Sequence, residues 1–336
     1  MCSAKRIYGV MSFSILLIFF SFSEPMAAPY YEGKVLKILV GHEAGGGYDR
    51  YARVMAKHLP KHIPGKPTVL VENMPGASTI ICANYLFNIA KPDGQTIGIF
   101  DRSLPFAQIF KAEGVKFDLL KYSWVGSVAS EAMILVIRSD LPYKTIYDLQ
   151  KTTETIYLAT TGPAASAYQF PALAKAYLGL NIQFVIYPSS AADMLAIEKK
   201  EVWGKGGSYS SLSRYIDSGL VRPVLRSRVS DQGIENLPVD EDLANDKKAK
   251  TVMAMRSASD QIGRPFVAPP KTPPEIMAFL RDGFAKAAKD PELQAEATKM
   301  KLKIEYDPPE DCTKQISLIL NQPEEIVKEF GKYIKF

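Results

Sequence analysis

Apolar and polar positions alternate between two periods along most of this chain. Val35–Val40 is an apolar run broken only by Lys37, and Tyr48, Tyr51, Ala52, Met55 and Leu59 then recur at helical spacing until Pro60 and Pro64. Thr68–Val71 predicts a second strand and Ile80–Phe87 a second helix, and Thr96–Phe100 and Phe106–Phe110 repeat the pair. The pattern restarts at Met133–Ile137. Strands follow at Ile156–Ala159 and Ile182–Tyr187, with a short one at Val202, and helices run through Tyr177 and over Met194–Lys199. A polar stretch, Ser227–Lys250, interrupts it. After "GRPFVAPP" a helix is expected with Thr272 as its cap, Pro273 in the first position and Glu275 closing a capping box. Glu292–Met300, Pro309–Leu320 and Pro323–Tyr333 complete the chain as helices. Strands alternating with helices imply crossover units. The expected fold is α/β with two lobes, each a mostly parallel sheet flanked by helices.

The N-terminus stands outside this pattern. Lys5 and Arg6 precede the apolar stretch Val10–Phe22, and Ala27 and Ala28 follow it, the layout of a secretory signal peptide. The apolar core is shorter than the roughly 20 residues of a membrane span. Cleavage after Ser23, Ala27 or Ala28 fits equally. The expected division is a signal over 1–28, a first lobe over 29–132, an inserted second lobe over 133–255, and a return to the first lobe over 256–336. Export makes a disulfide between Cys82 and Cys312 permissible, though Cys82 in its apolar helix reads as a small buried hydrophobe.

Composition narrows the function. With 41 basic and 36 acidic residues interleaved, the net charge is +5 and no basic run marks a nucleic-acid surface. All three histidines, His42, His58 and His62, fall in one short region. His58 and His62 are separated by Pro60 and read as an exposed pair, with no metal site. "GAST" around Ser78 is not a nucleophile elbow. No catalytic residue, metal or cofactor is expected.

"GHEAGGGYDR" raises the chemical question. Gly47 is followed by Tyr48 and Asp49, not by the Lys and Ser/Thr of a phosphate loop, and Arg50 stands where a dinucleotide fingerprint needs its last glycine. What remains is a glycine loop between a strand end and a helix start, which by itself reads first as a plain turn, or else as a place where unpaired N–H groups and the helix dipole favour an anion. The device recurs at "PGAS" (Pro75–Ser78), "TTGPAAS" (Thr160–Ser166) and "GKGGS" (Gly204–Ser208, with Gly207 and Ser208 at its end). At the carboxyl ends of parallel strands these loops would converge on one cleft and hold a small carboxylate. A β-branched residue at Gly46 is expected to block close approach and to resist positive φ. Asp49 reads equally as a ligand contact and as a helix-start acid. Arg102, beside Ser103, can pair with a carboxylate or stand as a solvated loop charge, the second reading being slightly preferred.

"GHEAGGGYDRYARVMAKHL", "VENMPGAST", "KPDGQTIGIF", "ATTGPAAS" and "GRPFVAPPKTPPE" together resemble the substrate-binding proteins of tripartite tricarboxylate transporters, Bug-type periplasmic receptors, over nearly the whole mature chain. The resemblance implies a type II periplasmic-binding-protein fold that closes on a carboxylated solute and delivers it to membrane permease subunits, with presentation to a membrane sensor as the alternative. It implies a periplasmic monomer that binds no nucleic acid. It places ligand contacts at Gly45, Gly46, Gly47, Tyr48 and Asp49, at Pro75, Gly76, Ala77 and Ser78, and at Thr160, Thr161, Gly162, Ala165 and Ser166. Two positions depart from the family: Trp203 replaces a common Asp, and Ser189 a common Gly. Both are expected near the cleft, Trp203 either as an apolar wall for an aromatic acid or as core packing.

Overall fold

A computed structural model describes residues 28–334 except Ala164. The expected signal segment, its last residue aside, lies outside the described residues. The first half runs β1 (Val35–Val40), α1 (Gly47–His58), β2 (Thr68–Asn73), α2 (Ile80–Asn88), β3 (Thr96–Ile99), α3 (Leu104–Ile109) and β4 (Ser123–Ser127). The middle runs β5 (Met133–Arg138), α4 (Ile146–Lys151), β6 (Ile156–Thr160), α5 (Ser166–Leu178), β7 (Ile182–Ile186), α6 (Ser190–Glu198), β8 (Gly204–Ser208), α7 (Tyr209–Asp217), β9 (Val221–Arg226), α8 (Asp240–Leu243) and α9 (Lys247–Ile262). The chain ends with β10 (Pro265–Ala268), α10 (Pro274–Ala288), α11 (Pro291–Lys299), α12 (Pro309–Leu320) and α13 (Glu324–Gly331).

The strands form two five-stranded sheets, ordered β2-β1-β3-β10-β4 and β7-β6-β8-β5-β9. Four strands of each run one way; β10 and β5 are reversed. Both reversed strands are the first that the chain enters after leaving the other sheet. Such a crossing starts from the carboxyl edge of one sheet and enters the other at its carboxyl edge, so the incoming strand must run away from it.

Helices cover both faces of the first sheet, which is why its central strands read as near-continuous apolar runs. Leu36, Ile38 and Val40 of β1 join Tyr51, Met55 and Phe284 in one buried cluster, while Leu39 faces the cluster built with Leu86, Phe106 and Ile316. The crossings pair with one another: Arg264 N–H donates to Ala129 O at 2.9 Å, and Glu131 N–H donates to Asp260 O at 3.0 Å. Helix α9 packs against α12 and α13 and against α5 and α8, so it touches helices attached to both sheets. Among the described residues, no helix is long and apolar enough to cross a membrane.

Several expectations change. "GKGGS" is the buried interior strand β8, not a loop, and Val202 is a bend before it. A Cβ at Gly204 would lie 1.9 Å from Val136 O and one at Gly206 2.5 Å from Ala167 O, so these glycines serve close approach of backbone, not a turn. Strands β4, β9 and β10 and helices α4, α7 and α9 add to the elements expected from periodicity. Thr272 does not cap α10; its hydroxyl donates to Pro269 O, and Pro273 occupies the cap position. Cys82 and Cys312 are both free and buried, and burial pushes both thiols up to about 12.

Candidate ligand-binding cleft

At the carboxyl edges of the two sheets, α1, α2, α5 and α7 begin without a side-chain cap, at Gly46, Thr79, Ala165 and Ser208. Away from this edge, α4, α9 and α11 are capped by Thr145, Asp246 and Asp290, whereas α8, α10, α12 and α13 also start without a side-chain cap, the last three at a proline. Helix starts normally satisfy their N–H groups with a capping oxygen. Four such starts at one edge can offer backbone donors to an outside acceptor, although Ile80 N–H already donates to Ala77 O and Tyr209 N–H to Ala132 O. Helix α6 is the exception there: Ser189 caps it, accepting from Ala192 N–H at 3.1 Å, so its hydroxyl is already engaged.

The glycines of the first loop differ in what they do. Gly45 takes φ +82°, and its N–H donates to Asp49 Oδ2 at 2.8 Å. Gly46 has φ −76° and only Glu43 O within reach of a Cβ, at 3.6 Å, so it needs no positive φ and the expectation for that position is corrected. Gly47 is the crowded one. A Cβ there would stand 2.4 Å from Ser211 Oγ and 2.8 Å from Arg264 Nη2. What approaches this loop is therefore α7, from beside the other sheet, together with Arg264. Arg50 Nη1 donates to Ser210 O at 2.8 Å along the same seam.

Asp49 is taken up by its own surroundings. Burial works to raise its pKa, but hydrogen bonds from Arg53, the Gly45 N–H and Asn73 hold it below the ordinary value. Its carboxylate ties the glycine loop to α1 and β2. In the second loop, Gly76, Ala77, Ser78 and Thr79 all have positive φ, a left-handed turn that leads into α2. This aims Thr79 Oγ1 at Asp101, whose N–H donates to it at 3.1 Å. In the third loop, Gly162 has φ +128° with nothing within 4 Å of a Cβ, and its N–H donates to Thr160 Oγ1 at 3.3 Å.

The segment after β3 sits at the centre. Arg102 is 1% exposed, which corrects the solvated reading. Its Nε donates to Asp260 Oδ1 at 3.1 Å, its backbone N–H donates to Tyr48 Oη at 3.1 Å, and Nη1 and Nη2 have no hydrogen-bond partner among the described residues. Asp101 is buried beside it. Oδ1 accepts from Ser103 N–H at 2.9 Å and Ser103 Oγ at 2.7 Å; Oδ2 faces Ser166 Oγ at 3.4 Å and His42 Nε2 at 3.5 Å. Burial alone would raise its pKa, yet His42, Arg102 and the Ser103 amide bring it down to about 2, so it is ionised. His42 stacks on Tyr48 at 4.2 Å.

Sequence reasoning missed Arg264, although it lies inside the quoted "GRPFVAPP". Its guanidinium covers the Tyr48 ring at 4.1 Å, donates to Glu131 Oε1 at 3.0 Å, and reaches Ser208 Oγ and Ser210 Oγ at 2.9 Å each. It thus touches both crossings and the starts of α1 and α7.

Trp203 is not near the cleft. It precedes β8, beside Tyr157 near the start of β6, and stacks on Tyr143 at 5.2 Å. Ser208, five residues on, marks the cleft end of that strand, roughly 16 Å away. The histidine pair is corrected too: His58 is buried and meets Glu296 at 2.8 Å, and His62 meets Asp290 at 2.6 Å. His58, Asp290 and Glu292 bring possible ligand atoms within 4.8 Å of one another, but Lys61 Nζ sits 2.6 Å from both carboxylates and already supplies the cation. A surface depression lined by Lys248, Glu325 and Glu329 lies at the opposite end of α9 from Asp260, and its charges pair with one another.

Residues 51–332 match the profile of the tripartite tricarboxylate transporter family receptor. A Cupriavidus necator protein described as a UPF0065 protein in the gbd 5′ region is 25% identical over 284 residues, 81% of this chain and 80% of the relative. The periplasmic binding protein BugD superposes with a TM-score of 0.72 at 21% identity, covering 90% of this chain and 98% of BugD. The R. palustris protein Rpa4515, solved with adipate, superposes with a TM-score of 0.72 at 18% identity, covering 89% of this chain and 97% of that one. At such identities the two structures speak for the fold.

Proposed function

The chain belongs to the tripartite tricarboxylate transporter receptor family, and from that premise we propose that it is a periplasmic receptor for a small carboxylate, which it delivers to a permease of that transporter type. The convergence of four uncapped helix starts on one edge carries the reading, because their remaining backbone donors and partial positive charge lie where a carboxylate has acceptors. The adipate bound to Rpa4515 supports the ligand class. In this reading the signal peptide is removed, residues 133–255 form an inserted lobe, the paired crossings at Ala129–Glu131 and Asp260–Arg264 act as the hinge, and the protein works as a monomer.

Thermal unfolding of the signal-free protein with citrate, dicarboxylates, aromatic acids and amino acids tests this. A ligand at 100 times its Kd contributes about 2.7 kcal/mol. At roughly 2–4 °C per kcal/mol for a protein of this size, the midpoint should rise by several degrees. The methyl ester of the same acid should not stabilise, since it loses the charge and an acceptor oxygen. Equal shifts from acid and ester, against a sodium chloride control at matched ionic strength, would refute the carboxylate reading.

A further inference from the structure

Asp101 and Arg102 place two buried, opposite charges side by side just after β3. Arg102 Nη1 and Nη2 are buried donors without an acceptor among the described residues. Asp101 Oδ2 accepts one long hydrogen bond, from Ser166 Oγ at 3.4 Å, and faces His42 Nε2 at 3.5 Å, so a closer donor could still be taken up there. Both residues flank Tyr48, through the Arg102 N–H on its hydroxyl and through His42, which stacks on its ring and faces Asp101. Ser166 is moreover the first residue of uncapped α5. The carboxylate of Asp101, which follows β3 of the first sheet, therefore stands at the helix start on which the second lobe would otherwise hold an anion.

We infer that Asp101 is a specificity-determining residue that selects carboxylates carrying an ammonium group and disfavours dicarboxylates of the same length. The inference rests on the carboxylate-receptor reading and deepens it. A ligand carboxylate meets the free helix-start N–H groups. Its other end meets Asp101 Oδ2, where an ammonium gives a charge-assisted hydrogen bond and a second carboxylate would face a like charge. Asp101 stays ionised far below neutral pH, so this discrimination holds across the range in which amines are protonated.

Calorimetric titration of the signal-free protein with matched pairs reads this directly: β-alanine against succinate, 4-aminobutyrate against glutarate, 5-aminopentanoate against adipate. In the pair that fits the cleft, the amino acid should bind about 10- to 100-fold tighter, the range for a hydrogen bond to a charged group. Asp101→Asn keeps an oxygen for Ser103 but removes the charge, and should erase that preference by weakening the amino acid and strengthening the diacid. Wild-type binding of the diacid as tightly as its amino partner, or an unchanged preference in Asp101→Asn, would overturn the inference while leaving the carboxylate reading intact. The wild-type ratio decides even where the variant does not fold. Silence of both members of every pair would count against the carboxylate reading and remove the ground for this one.

Discussion

Gly47 offers the sharpest test of how the cleft is built. Its position opens α1, where alanine adopts the backbone without strain, so Gly47→Ala carries no folding penalty of conformational origin. The cost arises between the lobes. The new methyl would stand 2.4 Å from Ser211 Oγ and 2.8 Å from Arg264 Nη2, about 1 Å inside ordinary contact. Ser211 can rotate only by giving up its 2.7 Å bond to Ser208 Oγ, and Arg264 is held by Glu131, Ser208 and Ser210. Overpacking of this kind costs about 1–3 kcal/mol. Because it falls on the approach of α7 to α1, it should appear as a loss of about 5- to 150-fold in ligand affinity with a nearly unchanged unfolding midpoint. Two controls bracket the variant. Gly46→Ala meets only Glu43 O at 3.6 Å and should bind as wild type. Gly45→Ala meets nothing, but its φ of +82° should cost about 1–2 kcal/mol of stability. Titration of all three with the best acid from the thermal panel is the assay. Wild-type affinity in Gly47→Ala would show that α7 does not come this close in the bound state, and the argument from the Gly47 seam would fail.

Two further outcomes are expected. Trp203→Ala should lower stability by about 1–3 kcal/mol through loss of the Tyr143 stack, with the ranking of ligands unchanged in the titration panel, because the indole lies at the far end of β8 from Ser208. Asp240 is fully buried; burial, opposed by Arg256 and reinforced by the Glu241 charge, lifts its pKa to about 7. A carboxyl raised above its unfolded value favours folding fully below about pH 4 and loses that contribution as pH climbs through 7. Asp240→Asn should therefore gain on wild type in unfolding midpoint between pH 4 and 8, and a gap between the two that stays constant with pH would contradict the assignment.

Wherever contiguous residues carry the signal, the sequence alone determined the outcome. The alternation over Val35–Val40, Tyr48–Leu59, Thr68–Val71 and Thr96–Phe100 specifies strand and helix locally, because each segment must turn its apolar positions to a covered face. The glycine and Pro-Gly motifs marked the loops at the cleft edge, and the linear motifs identified the family. Tertiary structure decided what depends on neighbours distant along the chain. "GKGGS" looks like a loop because it has almost no side chains, and it becomes β8 only where Val136 and Ala167 press against its backbone. Asp260 lies 158 residues from Arg102, and Glu131 lies 133 from Arg264; both pairs are buried because the crossings bring them together. His58 reads as exposed until Glu296, 238 residues away, meets it. A buried charge is stable only beside its partner, and no local pattern announces a partner that the fold alone delivers.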